Sequence, residues 1–243
     1  MSLLHLAVFA YWEMKLAKDP ILPFNIWKAP SFGYLTVALF FSFMSIGIYL
    51  WYMNLYMQTI RGDSLIRVGV QWLPITIGGF FAAFFAGWLI PRVPAQGIIG
   101  LGCLAIVIMQ VLLATIPAHL TYWAMAFPAM LASALTIDLI VTSGQIVVSN
   151  TVPIEHQGVA GSLIGTLLSY GMSTGLGFAG TVEVNTFEGG KNLLRGYHSA
   201  AYLGLALGAA ALVLSIGFIR IPKDTRQGWE PERLPNEAEG ESK

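Results

Sequence analysis

The chain has 243 residues, 56% of them apolar and only 11% charged, against roughly 25% charged in an ordinary soluble domain. Its 13 basic and 13 acidic residues cancel, and between Arg67 and Arg220 only Arg92, Asp138, Glu155, Glu183, Glu188, Lys191 and Arg195 carry charge. A water-exposed surface cannot be built from so few charges, and no basic excess attracts phosphate, which excludes a soluble enzyme, a nucleic-acid binder and a disordered chain and leaves a protein that spans a membrane several times.

A helix needs about 20 apolar residues to cross a ~30 Å hydrocarbon core. Residues 2–12 are apolar but too short for that, and they lack the basic n-region and cleavage site of a signal peptide. They read as the last turns of an earlier span, so residues 1–28 are expected to be the end of a truncated preceding span and a cytoplasmic linker. Residues 29–220 then hold six helices. The first is placed at about 33–58, the second within 68–91 and the third at about 96–116, ended by Pro117, Ala118 and His119. The fourth runs from about 120 to 149 and is expected to be unusually long. The fifth lies within 157–182 and the sixth within 196–219. Residues 223–243 hold six acids, four basic residues and two prolines, so 221–243 are expected to form a disordered cytoplasmic tail. The apolar runs are solid rather than alternating, which selects helices over a β-barrel. The fold class expected is an all-α membrane protein, a six-transmembrane-helix bundle. Basic residues flanking the spans number seven on the side of the two ends and four on the other, a bias that places both ends in the cytoplasm.

Within the spans, small residues recur at four-residue spacing: Gly79, Ala83 and Gly87 in the second, Gly161 with Gly165 and Gly171 with Gly175 in the fifth, and Ala200, Gly204 and Gly208 in the sixth. Such spacing lets helix backbones approach closely in lipid. It serves static packing or a sliding contact equally well.

Asp138 is the strongest chemical signal. An ionised carboxylate at mid-span costs roughly 2.5–3.5 kcal/mol on insertion scales, and none of the six spans holds a Lys or Arg to pair with it. Thr142, Gln145 and Ser149 follow at steps of four, three and four, so all four share one helical face. That stripe suits a wet cavity with a proton site; a neutral acid hydrogen-bonded inside the bundle is the competing reading. In the first span Ser42, Ser45, Tyr49, Tyr52 and Tyr56 form a second stripe, which can line a cavity for aromatic or amphipathic molecules or serve in part as an interfacial belt. Asn54 and Gln58 lie off it. The four histidines fall at span ends or in loops without metal spacing, Cys103 stands alone, and no nucleophile elbow occurs. No enzyme activity, cofactor or metal is expected.

The stretch from Asp138-Leu139 through Ser149-Asn150-Thr151-Val152-Pro153, Glu155-His156-Gln157-Gly158-Val159-Ala160-Gly161-Ser162-Leu163 and Gly175-Leu176-Gly177-Phe178-Ala179-Gly180-Thr181-Val182-Glu183 resembles fungal transporters of the major facilitator superfamily. The resemblance is to the fourteen-span drug:proton antiporter branch that includes aminotriazole-resistance-type pumps. Arg61-Gly62-Asp63-Ser64, Gly69-Val70-Gln71-Trp72-Leu73-Pro74 and Lys18-Asp19-Pro20-Ile21-Leu22-Pro23 add to it, whereas the loop after the second span, with only Arg92, is a reduced counterpart of that family's charged loop. The resemblance implies the C-terminal six-helix half of such a carrier. It implies proton-coupled export of small apolar or amphipathic compounds and an N-terminal half as the required partner. It further implies a plasma-membrane location, with the vacuole as rival. On that reading Asp138 takes or relays the proton. Ser45, Tyr49, Tyr52, Gln71, Thr142 and Gln145 face substrate, and Gly161, Gly165, Gly171 and Gly175 pack helices. The alternative is a non-transporting membrane subunit or a truncated gene product, and the reading frame upstream of Met1 separates the two.

Overall fold

The computed structural model describes Trp12 and residues 31–151, 154–187, 189 and 192–219, without the side chains of 148–156. Trp12 apart, the expected linker over 1–28 and tail over 221–243 lie outside the described residues. The described elements are α1 (Phe32–Leu55), continued by a π-helical turn (Tyr56–Ile60), α2 (Leu65–Gln71), α3 (Leu73–Leu89), α4 (Ala95–Thr115), α5 (Ala126–Thr151), α6 (Ile154–Thr186) and α7 (Leu193–Phe218). No strand occurs among the described residues.

Helices α2 and α3 form one span interrupted at Trp72, so the bundle has six long helical segments, the all-α membrane architecture expected. The interruption sits where Pro74, lacking an N–H, enters the first turn of α3. Ser64 starts α2 earlier than the apolar run suggested, its side chain accepting from the Arg67 amide. The fourth span starts at Ala126 rather than near 120, because residues 117–122 are tied to other elements. The Pro117 carbonyl accepts from Tyr56 Oη at 2.9 Å, and the Leu120 carbonyl accepts from Arg61 Nη1 at 2.7 Å. Tyr122 Oη donates to the Gln71 carbonyl at 2.7 Å.

The longest helix is α6, with 33 residues against 26 for α5, a correction to the expectation that the fourth would stand out. At 1.5 Å per residue it is about 50 Å long, well beyond the ~30 Å hydrocarbon core. The other five segments are long and apolar enough to cross a membrane. The serines, threonines and glycines of α6 keep it below that mark.

Helix α1 is the axis of the bundle. Ser42 through Tyr49 are all buried, as befits a helix apolar on every side. It packs chiefly on α6 and α7, α5 packs on α4 and α3, and α4 packs on α7. One polar bolt crosses the core. Gln110 Nε2 of α4 donates to the Ser45 carbonyl at 2.8 Å and to Ser45 Oγ at 3.0 Å. Ser45 Oγ in turn donates to the Gly204 carbonyl of α7 at 2.8 Å. Interhelical hydrogen bonds of this kind contribute about 0.6 kcal/mol on average in lipid and fix register.

Candidate functional site

Because α2–α3 leans on α5 while α6 leans on α1 and α7, a gap opens over α1 between Trp72 and α6. It is an open cavity of about 370 Å³ lined by Gly47, Leu50, Trp51 and Asn54 of α1, Trp72, and Met172 and Leu176 of α6. Two indoles, a thioether and two leucines make its walls apolar and aromatic, and no charged residue lines it. Asn54 is its polar side chain at hydrogen-bonding distance from a neighbour: Asn54 Oδ1 accepts from Gln58 Nε2 at 3.2 Å, which turns the Asn54 amide N–H groups outward as donors. The π-helical turn that follows Leu55 widens the helix at this end, a distortion common near functional sites.

The stripe Ser42, Ser45, Tyr49, Tyr52 and Tyr56 points the other way, into the bundle, and is fully buried. Ser45 belongs to the Gln110 bolt. Tyr49 Oη lies near Ser133, whose own hydroxyl donates to the Met130 carbonyl at 2.8 Å, and it has no hydrogen-bond partner among the described residues. Tyr52 Oη donates to Glu183 Oε2 of α6 at 2.7 Å. Ser45, Tyr49 and Tyr52 are therefore core residues of this conformation, and Trp51 and Asn54, one helical face away, meet the open space. The tyrosine spacing marks a continuous face in either case; only the positions of α6 and α7 decide which face is covered.

Gln71 lies at the C-terminal end of α2, 8% exposed. Its Nε2 donates to Asp63 Oδ2 at 3.0 Å and its Oε1 is buried without a partner among the described residues. Asp63, in the turn before α2, also receives Arg61 Nε at 3.0 Å and Arg67 Nη1 at 3.2 Å. A smaller hollow of about 240 Å³ beside them is lined by Arg67, Val70, Gln71, Pro74, Tyr122 and Trp123. Burial alone would raise the Asp63 carboxyl, but hydrogen bonds from Arg61 and Gln71 and the charges of Arg61 and Arg67 outweigh it and hold the carboxyl below the usual carboxylate range. A depressed folded value means that this stabilisation is complete at neutral pH and is lost as pH falls below about 4 toward the folded value. Thermal unfolding in detergent should show the parent losing stability over that acid interval and Asp63→Asn losing less there, from a lower starting point at neutral pH.

Asp138 is half-buried on α5 and faces the α3 backbone: a Cβ at Gly79 would lie 3.6 Å from Asp138 Oδ2. It makes no hydrogen bond or ion pair among the described residues. Thr142 is half-buried and Gln145 exposed on the same side of α5, and the Ser149 side chain lies outside the described residues. This face is thus a real polar stripe, but none of its members lines the cavity over α1.

Of the four glycines of α6, Gly171 and Gly175 press on α1. A Cβ at Gly171 would meet Phe43 Cβ at 2.8 Å, and one at Gly175 would meet the Met44 carbonyl oxygen at 2.5 Å. Gly161 and Gly165 have open space instead. They sit one residue, or about 100°, from the buried Ala160 and Ile164. The side of α6 turned away from α1 carries a feature that the glycine pattern concealed. Ser162, Thr166, Ser169, Ser173, Gly177, Thr181 and Asn185 are all exposed and recur at three- and four-residue steps. Several donate to their own helix, as Thr166 does to the Ser162 carbonyl at 3.1 Å and Thr181 to the Gly177 carbonyl at 3.0 Å. The signal was present in the Ser/Thr spacing and was masked by the glycines between.

A polytopic helical membrane protein with an aromatic cavity open over its central helix and a lone mid-span acid is the class these observations define. Residues 8–176 match the Major Facilitator Superfamily, and the chain belongs to that family of integral, multi-pass membrane transporters. It is 33% identical to an efflux pump, terJ, of Aspergillus terreus over 89% of its own length and 42% of that protein. It is 32% identical to a low affinity ammonium transporter of Saccharomyces cerevisiae over 86% of this chain and 40% of that one. An aminotriazole resistance protein of the same yeast is likewise 32% identical, over 88% and 40%. The chain thus spans about two fifths of the length of the curated relatives it matches.

Proposed function

We propose that this chain forms the C-terminal six-helix half of a proton-coupled carrier that exports small apolar or amphipathic compounds and works together with an N-terminal half. The cavity of about 370 Å³ carries the reading. Its size falls in the range that encloses a drug-sized molecule, its walls are apolar, and Asn54 offers the few directed polar contacts that fix orientation. It is open on the side away from the bundle, which suits a site completed by a second half and exposed by rocking of one half against the other. The exposed hydroxyl stripe on α6 supports the same arrangement, since such a face is better matched by protein or water than by acyl chains. Asp138 is the acid we assign to proton coupling: it lies mid-span, half-buried and without a cation partner among the described residues, where carboxyl groups serve proton relays. By the same family resemblance the plasma membrane is the assigned location, ahead of the vacuolar membrane.

A fluorescence titration of the chain in lipid with a planar, uncharged aromatic probe tests the cavity. Trp51→Ala and Trp72→Ala should each weaken binding about tenfold, equivalent to ~1.4 kcal/mol. Equal affinity in the parent and both variants removes the cavity from substrate recognition.

A further inference from the structure

We propose that the hollow beside α2 is a phospholipid site. Arg67 takes the phosphate of a head group that also carries a primary ammonium, Gln71 accepts from that ammonium, and the acyl chains lie along the exposed apolar row of α2 and α3. The site goes beyond the transporter reading and does not depend on it.

The length of the span sets the depth of the hollow. Residues 65–89 make a helical span of 25 residues, about 38 Å at 1.5 Å per residue against a hydrocarbon core of ~30 Å. No charge occurs between Arg67 and Arg92, so Arg67, in the first turn, lies at head-group level. Tyr122 and Trp123 border the same hollow, as aromatic residues do at that depth.

Its polar groups call for a particular ligand. Two guanidinium groups, Arg61 and Arg67, face one carboxylate, Asp63, at 3.0 and 3.2 Å, which leaves one positive charge in this cluster. Arg61 is engaged a second time, donating to the Leu120 carbonyl at 2.7 Å. Arg67 meets Asp63 through Nη1 alone and its side chain is 64% exposed, so the rest of its planar fork presents N–H donors in the geometry that suits a phosphate. Gln71 makes the opposite demand. Its Nε2 is held by the Asp63 carboxylate at 3.0 Å, which orients the amide, because an oxygen turned that way would meet another oxygen. Oε1 is the atom left buried without a partner among the described residues, and a buried acceptor favours an N–H donor. Tyr122 does not supply it, since its hydroxyl donates to the Gln71 backbone carbonyl. Trp123 is 70% exposed and offers an indole face to an ammonium. A phosphate beside a primary ammonium satisfies Arg67, Gln71 and Trp123 together. The hollow, at about 240 Å³, is smaller than the ~300 Å³ at which drug-sized ligands begin to fit and suits a head group.

The neighbouring surface selects a lipid over a free zwitterion. Ile66, Val70, Leu73 and Ile77 are each more than half exposed and follow at steps of four, three and four. Trp72 keeps helical angles between α2 and α3, so the four make one continuous row. Val70 belongs to both the row and the lining of the hollow. The row therefore starts at the hollow and runs along the span toward mid-membrane, the direction that acyl chains take from a head group held at Arg67.

Native mass spectrometry of the full chain in detergent, titrated with one lipid at a time, tests the site. The parent should retain dioleoyl phosphatidylethanolamine about tenfold more tightly than dioleoyl phosphatidylcholine, whose quaternary nitrogen keeps the charge but has no N–H donor. Arg67→Gln should weaken both lipids about tenfold, and Arg67→Lys should recover part of that loss. Gln71→Leu should erase the preference for ethanolamine and leave choline-lipid binding as in the parent. Trp123→Ala changes a largely exposed side chain and should weaken both lipids, as should Val70→Asn combined with Leu73→Asn. Soluble phosphoethanolamine should compete only far above the lipid concentration. Equal retention of the two lipids by the parent overturns the head-group assignment. Unchanged retention in both Arg67→Gln and Trp123→Ala overturns the site, and phosphoethanolamine competing at the same concentration as the lipid overturns the membrane as its source.

Discussion

Gly175→Leu is expected to destabilise the bundle by ~3 kcal/mol or more, while Gly165→Leu should leave thermal stability in detergent close to that of the parent. Both residues belong to four-spaced glycine pairs in the same helix, so sequence alone treats them alike. They differ in what stands opposite. A Cβ at 175 would lie 2.5 Å from the Met44 carbonyl oxygen and 2.7 Å from Met44 Cα, whereas at 165 nothing lies within 4 Å. Overpacking in a well-filled core typically costs ~1–3 kcal/mol because side chains can shift. At Gly175 the obstacle is α1 backbone, which cannot rotate aside, so the whole α1–α6 seam would have to part. That seam also forms the wall of the cavity, and probe binding should be lost with it. Thermal unfolding of the two variants side by side checks this. Equal stability of the parent and Gly175→Leu would mean that α1 and α6 do not meet as described.

The number of long helical segments was legible because it rests on a quantity that sequence states outright: the distance between charges and prolines. The ends of the spans were less so. The late start of α5 depends on Arg61, Tyr56 and Tyr122 reaching into residues 117–122 from elsewhere in the bundle, and no local signal encodes those partners. The long-range argument failed most at α1. Periodicity shows that Ser45, Tyr49 and Tyr52 share a face, but α1 is apolar all round, so nothing in its own residues distinguishes the covered side from the open one. The structure gives the covered side to the tyrosines and the open side to Trp51 and Asn54. In α6 the opposite problem arose: glycines and hydroxyls interleave along one helix, and attention to small-residue spacing hid the polar face. Glu183 was legible as a residue within the family-like stretch, yet its partner Tyr52 is visible only once α1 and α6 are placed together.

On the proposed transporter reading, Asp138→Asn is expected to abolish uphill export driven by a pH gradient while leaving substrate binding largely intact. The substitution keeps the shape of the neutral acid and much of its hydrogen-bonding capacity, but fixes the charge at zero. Asp138 has the surroundings for which that matters. It lies mid-span on α5 against the Gly79 backbone, it has no cation or hydrogen-bond partner among the described residues, and Thr142 and Gln145 continue its face toward open space. A proton there changes the free energy of the conformational states only if the acid is solvated differently in each. A half-buried carboxyl on a face that the described residues leave partly uncovered meets that condition, whereas a fully buried, hydrogen-bonded neutral acid would not. Because Asp138 does not touch the cavity over α1, its removal should not weaken binding of the aromatic probe, which separates loss of coupling from loss of the site. Gradient-driven accumulation in proteoliposomes that hold this chain with the proposed N-terminal half, set beside downhill exchange in the same vesicles, gives the two readouts. Undiminished uphill transport in Asp138→Asn would remove Asp138 from the coupling mechanism.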